Sequence, residues 1–404
     1  MFGIDFLVRV SGFFLLPIYL LLMTQEEYGL YSYLLAIMTY LGQCFGLGFY
    51  VSQMKVYHDF SSEREKGSFL FTINFFLLLV SGSLIFLFYI FKLDVVIISN
   101  FISEKISYVD YRLYFLFYLF LSIFSLMVYS FFITTENLKF VKIFNVLKLF
   151  LLNGVVIFFL YINNNQDAVI IRFKYSFLVE LALFFLFFYF FIKKMVFIFN
   201  TSILKRSLKI GLPVMLASFV AMIYGLTDRF FLERYYDLET LGIYTLGITL
   251  CSIIPLSMAS FHTVFSPIIF KEKDNLINFK KTNKIAKYSF ITYIFLGILL
   301  YFSVFIMFSF KIISSDYFSI LYVLPIMIFG AIFYALSQLY QLITTNLEKT
   351  HISLIFHIVS TIICIVFSII LVPQTGMYGA AFSVLLATSC SLIMHYYYIK
   401  KNTN

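Results

Sequence analysis

The chain has 404 residues, 62% of them hydrophobic and only 12% charged, about half the charged share of roughly 25% expected of a soluble domain. A mean hydropathy of +0.97 implies more apolar surface than one buried core can absorb, which excludes a water-soluble protein and makes membrane-spanning helices the default. The formal charge of +9 does not indicate a nucleic-acid partner, because Lys and Arg fall between apolar runs and never cluster on a soluble domain.

Cutting the sequence at its charged and Pro/Gly/Asn clusters leaves twelve apolar runs near the length a bilayer crossing needs. In chain order they are 2–23, 30–52, 68–91, 112–134, 143–162, 169–192, 208–232, 240–265, 286–310, 317–345, 351–372 and 377–399. The runs are continuously apolar and lack the alternation of a membrane β-strand, so the fold class is an all-α integral membrane protein. Met1–Asp5 has no basic lead and Phe6–Met23 is long enough to span, so the first helix is expected to be its own insertion signal rather than a cleaved one. With the N-terminus inside, the cytoplasmic connections and the C-terminal tail hold 20 Lys/Arg, against 8 on the opposite side. The positive-inside rule then predicts that both termini are cytoplasmic. Cys44, Cys251, Cys364 and Cys390 stand alone in apolar runs without metal-ligand spacing, which predicts free thiols and no metal site.

A faint repeat runs through the chain. Glu26-Glu-Tyr-Gly-Leu-Tyr-Ser32 and Glu239-Thr-Leu-Gly-Ile-Tyr-Thr245 align at a constant offset of 213, each opening the helix after an odd-numbered span. The offset predicts two six-helix lobes, 1–192 and 208–404, joined by a basic cytoplasmic linker at 193–207. An even number of spans per lobe relates them by an axis along the membrane normal, around a central cavity.

Charges inside spans are the functional candidates, because each must have a reason for its cost. Glu180 lies about eleven residues into the sixth span, roughly 16 Å deep at 1.5 Å per residue. It must be protonated, paired or facing a wet cavity, and is a candidate for ion coupling. Arg9, in the first span, either snorkels to the headgroups or offers its forked donors to a phosphate in the cavity. Asp228 and Arg229 stand near the outer end of the seventh span, where interfacial anchoring competes with an ion-coupling role for the first and an anion-binding role for the second. Gly211, Ser218, Ala221, Gly225 and Arg229 share one helix face, a stripe that packs closely or lines a passage. Arg172 and Lys174 mark the outer mouth of the sixth span, and Lys148 is expected about one turn inside the cytoplasmic face of the fifth. His357, Gln338 and Gln341 are polar groups of lower rank. Pro17, Pro213, Pro255 and Pro325 each remove a backbone donor within or near a span and are candidate hinges.

Several segments carry a resemblance to a known family: Met23-Thr-Gln-Glu-Glu-Tyr-Gly-Leu-Tyr31, Leu208-Lys-Ile-Gly-Leu-Pro213, Thr227-Asp-Arg-Phe-Phe-Leu232, Leu241-Gly-Ile-Tyr244 and Val372-Pro-Gln-Thr-Gly-Met-Tyr-Gly-Ala-Ala381. In order and spacing they resemble the polysaccharide-export branch of the multidrug/oligosaccharidyl-lipid/polysaccharide (MOP) superfamily, in particular the Wzx-type O-antigen flippases. One departure is that only sixteen residues precede Pro17, without the family's basic lead. The resemblance implies a MATE-like fold in the bacterial inner membrane and a flippase for an undecaprenyl-diphosphate-linked oligosaccharide, an O-antigen or capsular repeat unit. It also implies a polysaccharide polymerase and a chain-length regulator as partners. Arg9, Arg229, Arg172, Lys174 and Lys148 would then be candidate ligands of the diphosphate or sugar.

Two other readings compete. A related transporter, either a drug/cation antiporter or a lipid II flippase, shares the fold; drug antiport would favour an acidic cavity and a diphosphate lipid a basic one. A membrane enzyme such as an O-antigen polymerase needs an acid, base or nucleophile constellation, and none is visible; nor is there a Walker motif. The expectation is a transporter without cofactor, driven by H+ or Na+ coupling or by downstream consumption of its substrate.

Overall fold

The computed structural model describes residues 2–101, 108–163, 167–258, 261, 269, 274–347 and 349–403, with side chains from Gly12 onward in the first helix. Among these residues every regular element is helical. In chain order they are α1 (Phe2–Leu22), α2 (Gln25–Phe45), α3 (Phe49–Val56), α4 (Glu63–Ile90), α5 (Leu93–Phe101), α6 (Tyr108–Thr134), α7 (Leu138–Ile162), α8 (Ala168–Ile192), α9 (Thr201–Tyr235), α10 (Leu238–Cys251), α11 (Asn275–Ser309), α12 (Ile320–Asn346), α13 (Thr350–Thr375) and α14 (Met377–Thr403). Ten helices among the described residues are long and apolar enough to cross a membrane, and the bent pair α2–α3 makes eleven. The first expected span corresponds to α1.

Local chemistry sets where these helices begin. Thr24 and Glu27 form a reciprocal cap on α2: the Glu27 N–H donates to Thr24 Oγ1 at 3.2 Å and the Thr24 N–H to Glu27 Oε2 at 2.8 Å. Ser62 and Glu65 do the same for α4. Asp167, Asp237 and Asp274 accept from the first free N–H groups of α8, α10 and α11. Each cap satisfies donors that no helical carbonyl can reach.

The structure departs from the expected spans in four places. The second span is not continuous: it breaks at Leu47 and Gly48, which take φ of 52° and 64°, and α2 and α3 meet at a 49° bend. The eighth span is interrupted at Ser252 before a further helical turn that holds Pro255. Pro255 has no N–H for the Cys251 carbonyl four residues back, so the helix loses a bond there. Residues 259–265 of that span lie almost wholly outside the described residues. Helices α9 and α11 start at Thr201 and Asn275, well before their apolar cores at 208 and 286, because mixed Lys/Leu/Ile sequence still forms helix beyond the lipid-facing part. Finally, the connection at 92–111 contains α5, whose Asp94 receives hydrogen bonds from Arg112 at 2.6 Å and Tyr108 at 3.0 Å.

Contacts gather the chain into two compact units, one of Met1–Tyr33 with Ile223–Asn404 and one of Leu34–Met222. Their boundaries fall inside α2 and α9 rather than in the 193–207 connection. In the first unit α12 packs along α14 and α14 along α13. In the second, α8 packs against α6 and α7, and a dense cluster of aromatic side chains around Phe124, Phe131, Phe144 and Phe187 fills the space. Glycine sets the closest approach in each unit. A Cβ on Gly211 would strike the Leu47 carbonyl, and one on Gly48 the Gly211 carbonyl, so α9 is seated on the break between α2 and α3. In the other unit a Cβ on Gly29 would lie 2.7 Å from the Leu238 carbonyl oxygen, and one on Gly242 would strike the Gln25 carbonyl.

That second crossing obeys the sequence repeat. Gly29 and Gly242, Gln25 and Leu238, and the capping residues Thr24 and Asp237 are all separated by 213. Each glycine faces the carbonyl of the residue four before the other. Reciprocity of this kind is what a two-fold axis produces where it passes through a contact.

Candidate functional site

The site grows from two neighbouring helices of the Leu34–Met222 unit. The helices α7 and α8 form an antiparallel hairpin, and Lys148 stands 14 residues before the end of the first while Glu180 stands 12 after the start of the second. At 1.5 Å per residue those positions are at nearly the same depth, about 20 Å from the hairpin's tip. Their side chains meet there: Lys148 Nζ is 2.9 Å from Glu180 Oε2 and donates to Oε1 at 3.2 Å. The Glu180 side chain is wholly buried, while that of Lys148 is 38% exposed. Lys148 Nζ also lies over the face of Phe144 at 5.7 Å.

The exposed side of Lys148 opens on a cavity of about 440 Å³ lined by α2, α6 and α7. Around it stand Gln43 of α2, Tyr118, Ser122, Ser125 and Tyr129 of α6, and Asn145 one turn from the lysine. Asn145 Nδ2 donates to the Tyr129 hydroxyl at 3.4 Å, and the Ser125 hydroxyl is buried without a partner among the described residues. Beside apolar Leu35, Met38, Leu126 and Phe144, the lining offers neutral hydroxyls and amides with a single charge, Lys148. Such a surface binds hydroxyl-rich groups through neutral hydrogen bonds and an anionic group through the ammonium.

A second polar cluster lies in the other unit. Asp228, buried in α9, accepts from the Tyr244 hydroxyl at 2.9 Å and from the Arg229 N–H at 2.8 Å. One turn further on, Glu233 is 2% exposed. Asp228 itself is 7% exposed.

The other sequence candidates separate from these clusters. Lys148 lies nearly three turns into α7, which begins at Leu138. Arg172 shares a face with Ser176 and Glu180 on α8 but does not line the cavity, and Lys174 stacks over Tyr175 at 5.5 Å. The Arg9 side chain lies outside the described residues, although its backbone is part of α1. Gly211 of the small-residue stripe packs against the α2–α3 break. Pro17, Pro213 and Pro325 sit inside α1, α9 and α12. Among the described residues no group of His, Cys, Asp and Glu is placed to hold a metal ion. The sequence reading missed Glu233, which it left in a loop after a span ending at 232, and the Lys148–Glu180 partnership. Matched depth on a hairpin would have revealed the pair, and the four-residue step from Arg229 the buried glutamate.

The family model for "Polysaccharide biosynthesis protein" matches residues 2–273. No curated protein sequence matches the chain significantly. Among solved structures, the lipid II flippase MurJ in an inward closed conformation superposes with a TM-score of 0.80 at 19% identity, covering 98% of this chain and 86% of that one. An inward-facing multidrug-resistance MATE transporter of the MOP superfamily gives 0.74 at 12% identity, covering 99% and 93%. A MOP superfamily transporter from Pyrococcus furiosus, described by a reversed polarity of its binding pocket, gives 0.66 at 14%, covering 98% and 93%. The helical membrane architecture and the family match agree: the chain belongs to the polysaccharide biosynthesis protein family and has the fold of the MOP transporters.

Proposed function

We propose that the chain is a flippase carrying an undecaprenyl-diphosphate-linked oligosaccharide, an O-antigen or capsular repeat unit, across the bacterial inner membrane. The observation that carries this reading is the cavity beside Lys148, with neutral sugar-binding groups and one cation. A hydrated sugar and a diphosphate cross hydrocarbon only at a cost of many kcal/mol, because their polar groups lose water; a cavity of hydroxyls, amides and an ammonium replaces that water. Alternating access between lobes 1–192 and 208–404, with both termini cytoplasmic and Pro17, Pro213, Pro255 and Pro325 as hinges, would expose the cavity to each side in turn. Coupling to H+ or Na+ through Glu180 or Asp228, and handover to a polymerase and chain-length regulator, belong to the same proposal.

Lipid II flipping is the second reading. Its support is the superposition on the MurJ flippase, and it shares the diphosphate-lipid chemistry. Drug/cation antiport fits less well, because the charge lining the cavity is a lysine.

Purified protein in liposomes is expected to move a lipid-linked oligosaccharide between leaflets without altering its mass. A lengthened or modified glycan would instead make the protein an enzyme. In a flippase-null strain, Arg9→Lys is expected to give partial surface polysaccharide and Arg9→Ala almost none, the grading of a forked phosphate ligand; normal polysaccharide from Arg9→Ala would assign Arg9 to anchoring.

A further inference from the structure

The two members of the buried ion pair differ in what they can reach. Lys148 borders the cavity and Glu180 does not. An ammonium has three N–H donors, and Glu180 accepts one of them at Oε1, so donors remain for the cavity side. No other charged side chain lines the cavity among the described residues. The field an incoming anion meets is therefore that of a lysine already largely neutralised from behind.

We infer that Lys148 is the diphosphate ligand of this cavity, and that Glu180 is a positioning residue that lowers Lys148's affinity so the anion is released on the far side. The inference rests on the diphosphate-lipid reading above. A transporter gains nothing from gripping its cargo at full strength, since binding that is equally tight before and after translocation only slows departure. A carboxylate placed behind the lysine fixes the ammonium at the cavity wall and subtracts from its attraction for a second anion. The cargo's charge is thus recognised by a site whose own net charge is zero.

The consequence is a pair of opposite effects from neighbouring residues. Binding of geranylgeranyl diphosphate to the full-length protein in nanodiscs, against geranylgeraniol as the uncharged control, reads them directly. Lys148→Gln should weaken diphosphate binding on the order of tenfold, the weight of one charge-assisted hydrogen bond. Glu180→Gln should tighten it several-fold while slowing flipping in liposomes. The exchange Lys148→Glu with Glu180→Lys keeps an ion pair but moves the cation away from the cavity; it should retain the thermal stability of the protein and lose diphosphate binding. If diphosphate binds but Glu180→Gln weakens or leaves its affinity unchanged, or the exchanged pair binds normally, the pair is structural and the inference fails. If the unaltered protein does not distinguish diphosphate from alcohol, the diphosphate-lipid reading itself falls, and the inference with it.

Discussion

A carboxylate with no solvent exposure persists inside a membrane helix only if something holds its charge, and for Glu180 that is Lys148 at 2.9 Å. Removing one member of such a pair strands the other. Lys148→Ala is therefore expected to destabilise the protein by about 3 kcal/mol, the low end for buried pairs because the lysine is 38% exposed. Replacing both, as Lys148→Met with Glu180→Leu, should restore most of that stability without restoring transport; thermal unfolding in detergent beside a liposome assay separates the two. At the second cluster, Tyr244→Phe deletes the hydroxyl that donates to Asp228 and leaves a buried acceptor short of a partner. The expected loss is about 1–3 kcal/mol in the same unfolding measurement. An unchanged midpoint would show that the bond contributes nothing. The sequence made Glu180 and Asp228 visible, because a charge in an apolar run is conspicuous whatever the fold. It did not reveal their partners: Tyr244 looks like any interfacial aromatic, and Lys148 looks like a snorkelling lysine because Glu180 is 32 residues away in the sequence. Glu233 was hidden because hydropathy falls before the helix ends.

Among the elements, length and apolarity alone located the spans, because a crossing of hydrocarbon must satisfy its backbone internally and helices of about 20 residues do so. The break at Leu47–Gly48 was not legible. Glycine is common in continuous membrane helices, and only the arrival of α9 makes this one necessary. Two glycines meet there, each facing the other strand of backbone, so a methyl at either site cannot be absorbed by turning a side chain. Gly48 also holds φ at 64°, where an L-residue is strained by about 1 kcal/mol or more. Gly48→Ala and Gly211→Ala are each expected to reduce membrane abundance and lower the unfolding midpoint. Gly154→Ala should do neither, since nothing lies within 4 Å of a Cβ there. Equal tolerance at all three positions would mean that α9 is not held against the break.

For the whole molecule, the lopsided distribution of Lys and Arg, 20 against 8, makes orientation testable. Reporter fusions at Lys401 and within 193–209 should both read cytoplasmic, and an external signal at either would reverse the proposed topology. The proposed twofold plan shows in the sequence only as a few matching letters at an offset of 213, because helices that face lipid need apolarity rather than particular residues. Residues at that offset touch where α2 crosses α10. Most substitutions that harm a contact can be cured by shrinking whatever stands opposite, but Gly29 and Gly242 oppose main chain, and no change of side chain removes a carbonyl. A methyl at either position therefore has no second-site cure within the pair and acts as a wedge whose only relief is separation of α2 from α10. In a cycle that parts and rejoins these helices, Gly29→Ala would hold them apart without any ligand. Its signature would be faster labelling of Gln25→Cys by a water-soluble maleimide, in a Cys390→Ser background because the other three cysteines are buried. The crossing of α2 and α10 thus carries a position where the smallest possible enlargement becomes a conformational bias, and labelling that stays slow would mean the helices never part there.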